Sequence, residues 1–426
     1  MKVLLVSANT ERINMPVMPL GMSCVATAAE EAGHDVRQVN LLAKQNAAHE
    51  LAESIQSFNP GVIGLSVRNI DDQASAGARF LLEPVKVMVD VCRSNASAPI
   101  VLGGAGYSIF PQYALEYLDA DMGIQGEGER SFVMLLASLE HGGDLWGIPG
   151  LYHRRLGIQN PNTAVRDINT LKLPDADTQI WSVADAAEPP IWLPIQTRRG
   201  CPLNCSYCST PAIEGRIIRK RDINSILTAL KSYTSVGFKH YFFVDNTFNI
   251  PSGYAEDLCD AIIDSGLKIE WRGILHPYKV DEKLVDKMAR SGCTDISLGF
   301  ESGSNLILKK MNKRFSVKDV QTISSLLKSH GVRTMGFLML GSPGETRRTV
   351  LDSLEFVDAL QLDAVKISVG VRIYPNTALA EHAVKVGVIP KNDTLLFPRF
   401  YIENGMEEWI RLTVADFVKE RPNWIC

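Results

Sequence analysis

Short apolar runs alternate with segments of helical periodicity along the first third of the chain. The apolar runs fall at residues 3–6, 36–39, 62–67 and 100–102, and helix-like segments connect them. In the segment 21–32, for example, apolar residues recur at the spacing of one helical face. Strands that are apolar on both faces and alternate with helices are typical of a parallel sheet covered by helices. This part of the chain is therefore predicted to be a parallel α/β domain.

A second alternating series begins after residue 192. Its six strands are predicted at 194–197, 241–244, 269–272, 296–300, 334–339 and 365–369. Six β/α units in a row indicate a barrel or a large part of one. Between 142 and 192 the pattern dissolves into prolines, acids and small residues, which indicates a linker with a small hairpin around 150–155. After Pro375 we expect a short helix and a last amphipathic segment.

The composition narrows the class of protein. The chain has 426 residues, with 44 Lys+Arg against 48 Asp+Glu and a formal net charge of −4. This length exceeds one ordinary core and indicates two domains with a small appendage. The near-neutral charge disfavours a nucleic-acid partner, and no apolar run approaches the roughly 18 residues that a membrane span needs. We therefore expect a soluble, cytoplasmic protein.

Three of the eight cysteines lie close together in the sequence. Cys201, Cys205 and Cys208 follow the first strand of the second series, at the end of the strand where barrel sites lie. In a reducing compartment such a cluster indicates metal binding. A structural zinc site takes four ligands, whereas three thiolates leave one iron of a [4Fe–4S] cluster open. A zinc site completed by a distant histidine, or three incidental buried cysteines, are the alternatives.

The C-x3-C-x2-C loop, with Tyr207 before its last cysteine, resembles the signature of the radical S-adenosylmethionine superfamily. The resemblance implies that Cys201, Cys205 and Cys208 bind a [4Fe–4S] cluster. It also implies that S-adenosylmethionine chelates the open iron and is cleaved to a 5′-deoxyadenosyl radical, which abstracts hydrogen from an unactivated carbon.

Three further segments resemble motifs of the same family. Residues 298–304 resemble the fourth-strand motif, which implies that Glu301 and Ser302 contact S-adenosylmethionine, and residues 337–346, with Gly341, resemble the fifth-strand motif behind the adenine. Asp245 lies where the second-strand motif contacts the methionine amino group, although the usual Gly-Glu is absent. The alternative for both acids is a turn or a helix cap.

The first domain resembles the cobalamin-binding domain of the cobalamin-dependent subclass. The resemblance rests on the Pro-Leu-Gly element at 19–21 and on glycine-rich turns at 103–106 and 126–129. The residues that it implies around cobalamin are Leu20, Ser66, Val67, Arg68, Gly103, Gly104, Gly126 and Glu127. No Asp-x-His-x-x-Gly motif occurs, so we expect cobalt without a protein histidine on its lower face. A Rossmann-like domain that binds a nucleotide or nothing is the alternative, although no Gly-x-Gly-x-x-Gly follows the first strand.

Two other segments carry weaker signals. Residues 370–377 resemble a Tyr-Pro-Gly-Thr element of cobalamin-dependent relatives, which implies that Arg372 and Tyr374 face the substrate cavity and act in catalysis; structural packing is the alternative. The basic run at 216–221 is interpreted as a solvated helix start rather than an anion site. Cys426 is expected to be an inert thiol.

Together these features predict an α/β protein in four parts. They are a Rossmann-like cobalamin-binding domain (1–145), a linker (146–191), a partial (β/α)6 TIM-type radical S-adenosylmethionine barrel (192–385) and a C-terminal extension (386–426). The predicted activity is methylation of an unactivated carbon by methylcobalamin, with an external electron donor such as flavodoxin or ferredoxin. The substrate is not evident from the sequence. Radical cyclisation or rearrangement without methyl transfer is one alternative, and a non-catalytic carrier or sensor is another.

Overall fold

The computed structural model describes residues 1–11, 18–42, 44–175 and 192–426. Two seven-stranded sheets form the framework of this described part. The prolines and acids expected in the linker at 176–191 lie outside the described residues. None of the helices within these ranges combines the length and apolar character that crossing a membrane requires.

The first sheet has the strand order β2-β1-β3-β4-β5-β6-β7. Its strands are β1 (Lys2–Ser7), β2 (Asp35–Asn40), β3 (Val62–Ser66), β4 (Ile100–Gly103), β5 (Met122–Ile124), β6 (Leu151–His153) and β7 (Ile158–Gln159). The helices around it are α1 (Leu20–Glu31), α2 (Ala47–Phe58), α3 (Leu82–Asn95), α4 (Ala105–Ile109), α5 (Pro111–Leu118) and α6 (Gly128–His141). β1 to β4 are parallel, as their apolar pattern predicts, and β5 adds a fifth parallel strand.

The hairpin of β6 and β7 was expected in the linker, but it forms the edge of the first sheet. β6 pairs antiparallel with β5, and β7 pairs antiparallel with β6. Leu151 and Ile158 are buried, so this hairpin contributes apolar side chains to the protein interior. The first sheet therefore continues to Gln159.

The second sheet is parallel and has the order β18-β15-β14-β13-β12-β11-β8. The strands of this half are β8 (Leu193–Ile195), β9 (Arg198–Arg199), β10 (Arg219–Lys220), β11 (His240–Phe243), β12 (Glu270–Leu275), β13 (Cys293–Glu301), β14 (Arg333–Leu340), β15 (Ala364–Val369), β16 (Val371–Arg372), β17 (Phe400–Tyr401) and β18 (Trp424–Ile425). Its helices are α7 (Thr210–Glu214), α8 (Ile223–Ser235), α9 (Ser252–Asp264), α10 (Glu282–Arg290), α11 (Asn305–Lys310), α12 (Val317–Ser329), α13 (Arg347–Leu360), α14 (Ala378–Lys385) and α15 (Glu407–Lys419). All six predicted barrel strands are present, and β18 adds a seventh.

Several of these helices begin where the sequence supplies a cap. Ser316 and Asp319 form a reciprocal capping box at the start of α12, and Thr346 and Thr349 form another at the start of α13. Each box satisfies backbone N–H groups that have no partner within the helix. The second box starts α13 directly after the fifth-strand motif and so fixes the end of that motif.

The C-terminal part of the chain packs against the first domain. Ile373, Leu395 and Leu396 belong to the same buried cluster as Leu4 and Leu65 of the first sheet. Full burial of one such side chain stabilises the folded state by about 1.5–3 kcal/mol. The extension therefore joins the two halves of the molecule and helps to fix the geometry of what lies between them.

Candidate active site between the two sheets

A cavity of about 540 Å³ lies between the carboxyl ends of the two sheets. From the first half it is lined by Leu20, Ser66, Arg68, Gly103, Gly104, Gly126 and Glu127, among others. From the second half it is lined by Gln196, Arg199, Thr210, Glu214, Asn246 and Ile274, among others. The carboxyl ends of parallel strands are where α/β folds bind ligands, and here two such edges face one space.

The glycines at the first edge keep the backbone open toward this cavity. Gly103 has no atom within 4 Å of the position where a Cβ would lie, whereas a Cβ on Gly104 would collide with the backbone of Val67. Gly104 also has a φ of 97°, which favours glycine. Val67 is itself buried, and its N–H donates to the Gly103 carbonyl at 2.8 Å. The result is a cradle of small residues that fits a large, flat ligand such as a corrin.

Arg68 lies at the edge of this cradle. Its backbone N–H donates to Asn9 Oδ1 at 2.6 Å, which fixes the turn after β3. Its side chain lines the cavity, and burial lowers the pKa of its guanidinium from the usual value. A cation therefore faces the space that the resemblance assigns to cobalamin.

The cysteine loop connects β9 to α7 in the second half. Gly200, with a φ of 89°, begins it, and a Cβ there would collide with the carbonyl oxygen of Ile217. The N–H of Cys201 donates to Gly215 O at 3.1 Å, and the Cys208 thiol lies 3.3 Å from Thr210 Oγ1. Glu214 accepts from Gly200 N at 3.0 Å. The loop is thus closed on itself and attached to the cavity wall.

The three thiols of this loop are reduced and close enough to influence one another. Burial raises the pKa of the Cys201 thiol to about 11, and the charges of Cys208 and Cys205 also raise it. Within the described ranges, no three or more His, Cys, Asp or Glu side chains converge as ligands of a single metal ion. Three thiols spread along one loop fit three corners of a [4Fe–4S] cluster, whose fourth iron then stays open.

Glu301 ends β13 beside this loop. It has a φ of 65°, and the pairing of β13 with β14 shifts register between Gly299 and Glu301. A non-glycine residue at positive φ is uncommon and is maintained by its surroundings. Here Tyr207 Oη and Lys313 Nζ donate to Glu301 Oε1 at 2.9 and 3.0 Å. Glu301 and Tyr207 are thus brought together, and Lys313 joins them.

Asp245 does not face the cavity, in contrast to the expectation for it. It is fully buried, and its carboxylate accepts from Thr197 N, Thr197 Oγ1 and Arg198 N at 2.8, 2.5 and 3.1 Å. Arg198 Nε lies 3.3 Å from the same carboxylate. With its acceptors occupied, Asp245 fixes the segment that leads into the cysteine loop, and its neighbour Asn246 lines the cavity instead.

Ser302 is also a core residue rather than a cavity residue. Its side chain is fully buried, its Oγ lies 3.1 Å from Ser353 Oγ on α13, and it accepts from Ser304 N at 3.1 Å. Gly341 is buried as well, and its N–H donates to the Glu345 carboxylate. Ser302 and Gly341 therefore stabilise the loops after β13 and β14 through contacts on their buried side.

Arg372 has a structural position that differs from the predicted catalytic one. Its Nε donates to Asp71 Oδ2 at 2.8 Å, and its two terminal nitrogens donate to Ile373 O and Leu395 O at 2.5 and 2.9 Å. It is 5% exposed and does not line the cavity. Arg372 therefore joins the loop after β3 to the C-terminal extension, which corresponds to the packing alternative.

Tyr374 lies next to this ion pair and does not line the cavity either. Its Oη accepts from Gln73 Nε2 at 3.1 Å, and its ring lies 6.3 Å from that of Phe110. Burial raises the pKa of its hydroxyl, so it stays protonated. Like Arg372, it connects the two halves of the molecule.

The basic run is not a solvated helix start, and part of it is buried against the first domain. Arg219 Nη1 donates to Glu127 Oε1 and Val165 O at 2.5 and 2.9 Å. Arg221 Nη1 donates to Ile168 O and Leu171 O. Glu127 therefore lines the cavity while its carboxylate is engaged in an ion pair. The prediction of a solvated helix start was wrong because these partners are 50 or more residues away in the sequence.

The structure adds Lys313 and Glu214 to the site, and it places a buried histidine, His276, after β12. Lys313 contacts Glu301, and Glu214 lies on the cavity wall, where burial raises the pKa of its carboxyl. His276 follows β12 and is 5% exposed, and neither of its ring nitrogens has a partner among the described residues. Burial lowers its pKa to about 4, so the imidazole is neutral. Of these residues, only Glu214 could have been singled out from the sequence, because it is the first acidic residue after the cysteine loop.

Comparison with known proteins agrees with this arrangement. The family model described as the B12 binding domain matches residues 6–136, and the one described as the Radical SAM superfamily matches residues 195–357. The chain is 27% identical over 395 residues to an uncharacterized methyltransferase of Pyrococcus horikoshii, covering 90% of this chain and 83% of the relative. It is 22% identical over 437 residues to tryptophan 2-C-methyltransferase of Streptomyces laurentii, covering 88% and 73%.

The fold also has a solved counterpart. The radical S-adenosylmethionine methyltransferase TsrM from Kitasatospora setae, solved with tryptophan and a S-adenosylmethionine analogue, superposes with a TM-score of 0.87. The match covers 98% of this chain and 88% of the other at 22% identity. With both domains in one chain and a shared cavity between them, the protein belongs to the cobalamin-dependent radical S-adenosylmethionine enzyme superfamily.

Proposed function

We propose that this protein is a methyltransferase that acts on an unactivated carbon of its substrate. The observation that carries the proposal is the cavity onto which both strand edges open, with the cysteine loop attached to its wall through Glu214. A methyl donor bound by the first half and a radical source bound by the second must both reach one substrate atom, and a shared cavity permits this. The two curated relatives described above are named as methyltransferases, which supports the same activity.

The residues of the site fit the cofactors that this family uses. Ser66, Gly103 and Gly104 would hold cobalamin in the open cradle, with Arg68 at its edge. The three thiols of the cysteine loop would hold the [4Fe–4S] cluster, and Glu301 would contact S-adenosylmethionine beside it. When bound, the cluster with S-adenosylmethionine supplies a hydrogen-abstracting radical, and cobalamin supplies the methyl group.

The protein groups around the cavity position the reactants. Glu214 accepts from Gln196 Nε2 at 2.8 Å and from Asn246 Nδ2 at 2.6 Å, so its carboxylate aligns two polar side chains of the cavity wall. Arg199 pairs with Glu129 at 2.6 Å across the two halves. These buried contacts keep the two binding surfaces at a fixed separation, as a reaction between separately bound groups requires.

An anaerobic assay tests the proposal. Reconstituted protein with cobalamin, a reductant and S-adenosylmethionine should form 5′-deoxyadenosine and methylcobalamin. Cys205→Ala should abolish 5′-deoxyadenosine because it removes one cluster ligand, whereas Cys426→Ala, at an exposed thiol outside the loop, should not. The measurement is chromatography of both products.

The assay also separates the alternatives. Formation of 5′-deoxyadenosine without methylcobalamin would favour cyclisation or rearrangement. Absence of both products from protein with a full cluster would contradict an enzymatic role and favour a carrier or sensor.

We further propose that an external protein such as flavodoxin or ferredoxin reduces the cluster. The substrate is proposed to be a small molecule or a residue of a peptide or protein. The cytoplasmic location stays a prediction from the sequence.

A further inference from the structure

A basic stretch lies next to the cysteine loop, although the chain as a whole has a net charge of −4. The stretch 305–318, which includes α11, contains five basic residues and no acidic one. Lys309 and Lys310 of this stretch are exposed, whereas the side chain of Lys313 is buried in the ion pair described above. The exposed cations are therefore a separate feature from that ion pair.

This stretch is attached to the cysteine loop at an exposed residue, Asn204. The carbonyl of Asn204 accepts from Asn312 Nδ2 at 2.6 Å, and its Oδ1 accepts from Arg216 Nη1 at 2.9 Å. Asn312 follows Lys310 by two residues, and Asn204 comes directly before Cys205. Cations from two different segments thus lie close to the first half of the cysteine loop.

We call Arg216, Lys309 and Lys310, together with the apolar residues Ile217 and Leu306, the basic surface. Ile217 is 76% exposed and Leu306 is 56% exposed. Leu306, Lys309 and Lys310 stand at i, i+3 and i+4 of α11, so they share one face of the helix. Among the described residues, none of the three cations forms an ion pair, and none of them lines the cavity. Charges without partners in the chain, with apolar groups between them, suit brief binding of another protein.

The cysteine loop reaches the solvent beside this surface. Pro202 and Asn204 are exposed and Cys205 is partly exposed, whereas Cys201 is buried. The rate of electron transfer between proteins falls steeply with distance. An electron that enters from another protein is therefore transferred most easily where a cysteine of the loop lies directly behind an exposed residue.

We propose that the basic surface is the docking site of an acidic redox protein, which delivers an electron to the cluster beside Cys205. This inference rests on the proposed function, because it takes the three thiols as cluster ligands. One electron passes from the reduced flavin of such a partner to the cluster, so the flavin is oxidised, the cluster is reduced, and no bond forms or breaks. Opposite charges speed the encounter of two proteins and orient them as they meet.

The test measures reduction of the cluster and not the overall reaction. Lys309→Glu/Lys310→Glu reverses two charges of the basic surface. Lys239→Glu/Lys268→Glu changes the net charge equally at exposed lysines that precede β11 and β12, at the sheet edge opposite to the cysteine loop. Stopped-flow absorbance follows the anaerobic reduction of each holoprotein by reduced flavodoxin and, separately, by reduced methyl viologen, which is a small cation.

We expect flavodoxin to reduce the Lys309→Glu/Lys310→Glu protein about tenfold or more slowly than wild type at low ionic strength. The wild-type rate should fall as salt is added, because salt screens the attraction. Reduced methyl viologen should reduce this variant at least as fast as wild type, since its charge has the opposite sign to that of flavodoxin. Lys239→Glu/Lys268→Glu should behave like wild type with flavodoxin.

Equal flavodoxin-dependent rates in wild type and in Lys309→Glu/Lys310→Glu protein of full iron content would overturn the proposal. Equal slowing of the control variant would also overturn it, because the effect would then belong to the net charge of the chain. Loss of tRNA binding in filter assays with an unchanged rate of reduction would identify a nucleic-acid surface and would likewise overturn it.

Two further outcomes keep the test decisive. If Lys309→Glu/Lys310→Glu protein holds less iron than wild type, Arg216→Gln replaces it, because glutamine keeps a donor for Asn204, and flavodoxin should again react more slowly. Wild-type protein whose cluster is reduced by flavodoxin but which transfers no methyl group would contradict the proposed function and leave the docking inference standing.

Discussion

Glu345 is a buried carboxylate held by backbone groups of the fifth-strand motif. Its Oε2 accepts from Gly341 N and from Ser342 N, the latter at 3.0 Å, and Oε1 has no partner among the described residues. Burial raises its pKa to about 7, and the charge of Glu403 acts in the same direction. The acid that shapes this loop is therefore protonated in part of the population at neutral pH.

This carboxyl should make the stability of the protein depend on pH. Since its pKa is raised from 4.5 to about 7 in the folded state, its contribution to stability is present below about pH 4.5 and is lost as the pH rises to about 7. The contribution is on the order of 3 kcal/mol. Glu345→Gln should remove this dependence, measured as the free energy of urea unfolding at pH 5 and pH 7.5. Glu355→Gln, at an exposed position of α13, should retain it, and an equal pH dependence in wild type and Glu345→Gln would contradict the assignment.

At the scale of residues, the sequence indicated several important residues but not the partners that these residues contact. The cysteine spacing and the glycine-rich turns identified loops that the structure places at the two strand edges. Asp245 and Arg372 were also singled out, yet each is engaged in a buried ion pair, with Arg198 and with Asp71. Asp71 precedes Arg372 by 301 residues, and no periodic pattern in the sequence encodes a contact over that distance.

At the scale of elements, the cysteine loop depends on one backbone conformation at its start. Gly200 combines a positive φ with a close approach to the Ile217 carbonyl, whereas Gly215 has a positive φ and open space around it. A substitution at Gly215 therefore tests backbone strain alone, whereas a substitution at Gly200 adds a steric collision. Both glycines contribute to the same loop, because the carbonyl of Gly215 accepts a hydrogen bond from the N–H of Cys201, the residue after Gly200.

We expect Gly200→Ala to impair cluster assembly far more than Gly215→Ala. Both variants place an alanine at positive φ, and Gly215, with a φ of 79° and a ψ of −178°, lies in a region essentially reserved for glycine, at a cost of about 1–3 kcal/mol. Only Gly200→Ala also displaces the Ile217 backbone beside Cys201. Iron content and visible absorption after anaerobic reconstitution measure the difference. Equal iron content in the two variants would contradict the role given to the collision.

The periodic elements were predictable, and the elements defined by distant pairing were not. The six barrel strands and the first four strands of the other sheet follow from local apolar patterns. The β6–β7 hairpin was predicted, but its place at the edge of the first sheet follows from its pairing with β5. β18 is two residues long, was not predicted, and is defined by its pairing with β15. Such short strands are stabilised by their neighbours and carry little periodicity of their own.

At the scale of the whole molecule, buried ion pairs join the two halves next to the cavity. Glu129 of α6 pairs with Arg199 of β9 at 2.6 Å, and Glu127 pairs with Arg219 of β10 at 2.5 Å. All four side chains are less than a tenth exposed. Arg199 also lies 3.6 Å from Glu127, so removal of Glu129 does not leave it unpaired but loses a hydrogen bond between charged groups, worth about 1.5–3 kcal/mol.

Glu129→Gln should therefore lower the free energy of unfolding by about 1.5–3 kcal/mol and weaken cobalamin retention, because α6 and β9 both border the cavity. Asp352→Asn removes an exposed partner of Arg348 and should change stability by about 1 kcal/mol or less. Urea unfolding and the absorbance of bound cobalamin after gel filtration are the measurements. Equal stability of the two variants would show that the Glu129–Arg199 pair does not join the halves.

The contact of the C-terminal extension with the first domain has a consequence for synthesis of the chain. Leu4 and Leu65 share a buried cluster with Leu395 and Leu396, so the core of the first domain is incomplete until about residue 400 has left the ribosome. Folding that waits for contacts so distant in sequence is slow and leaves apolar surface exposed meanwhile. Before then, the nascent first domain presents an apolar surface to the cell, and this interval is when a chaperone would have most to protect.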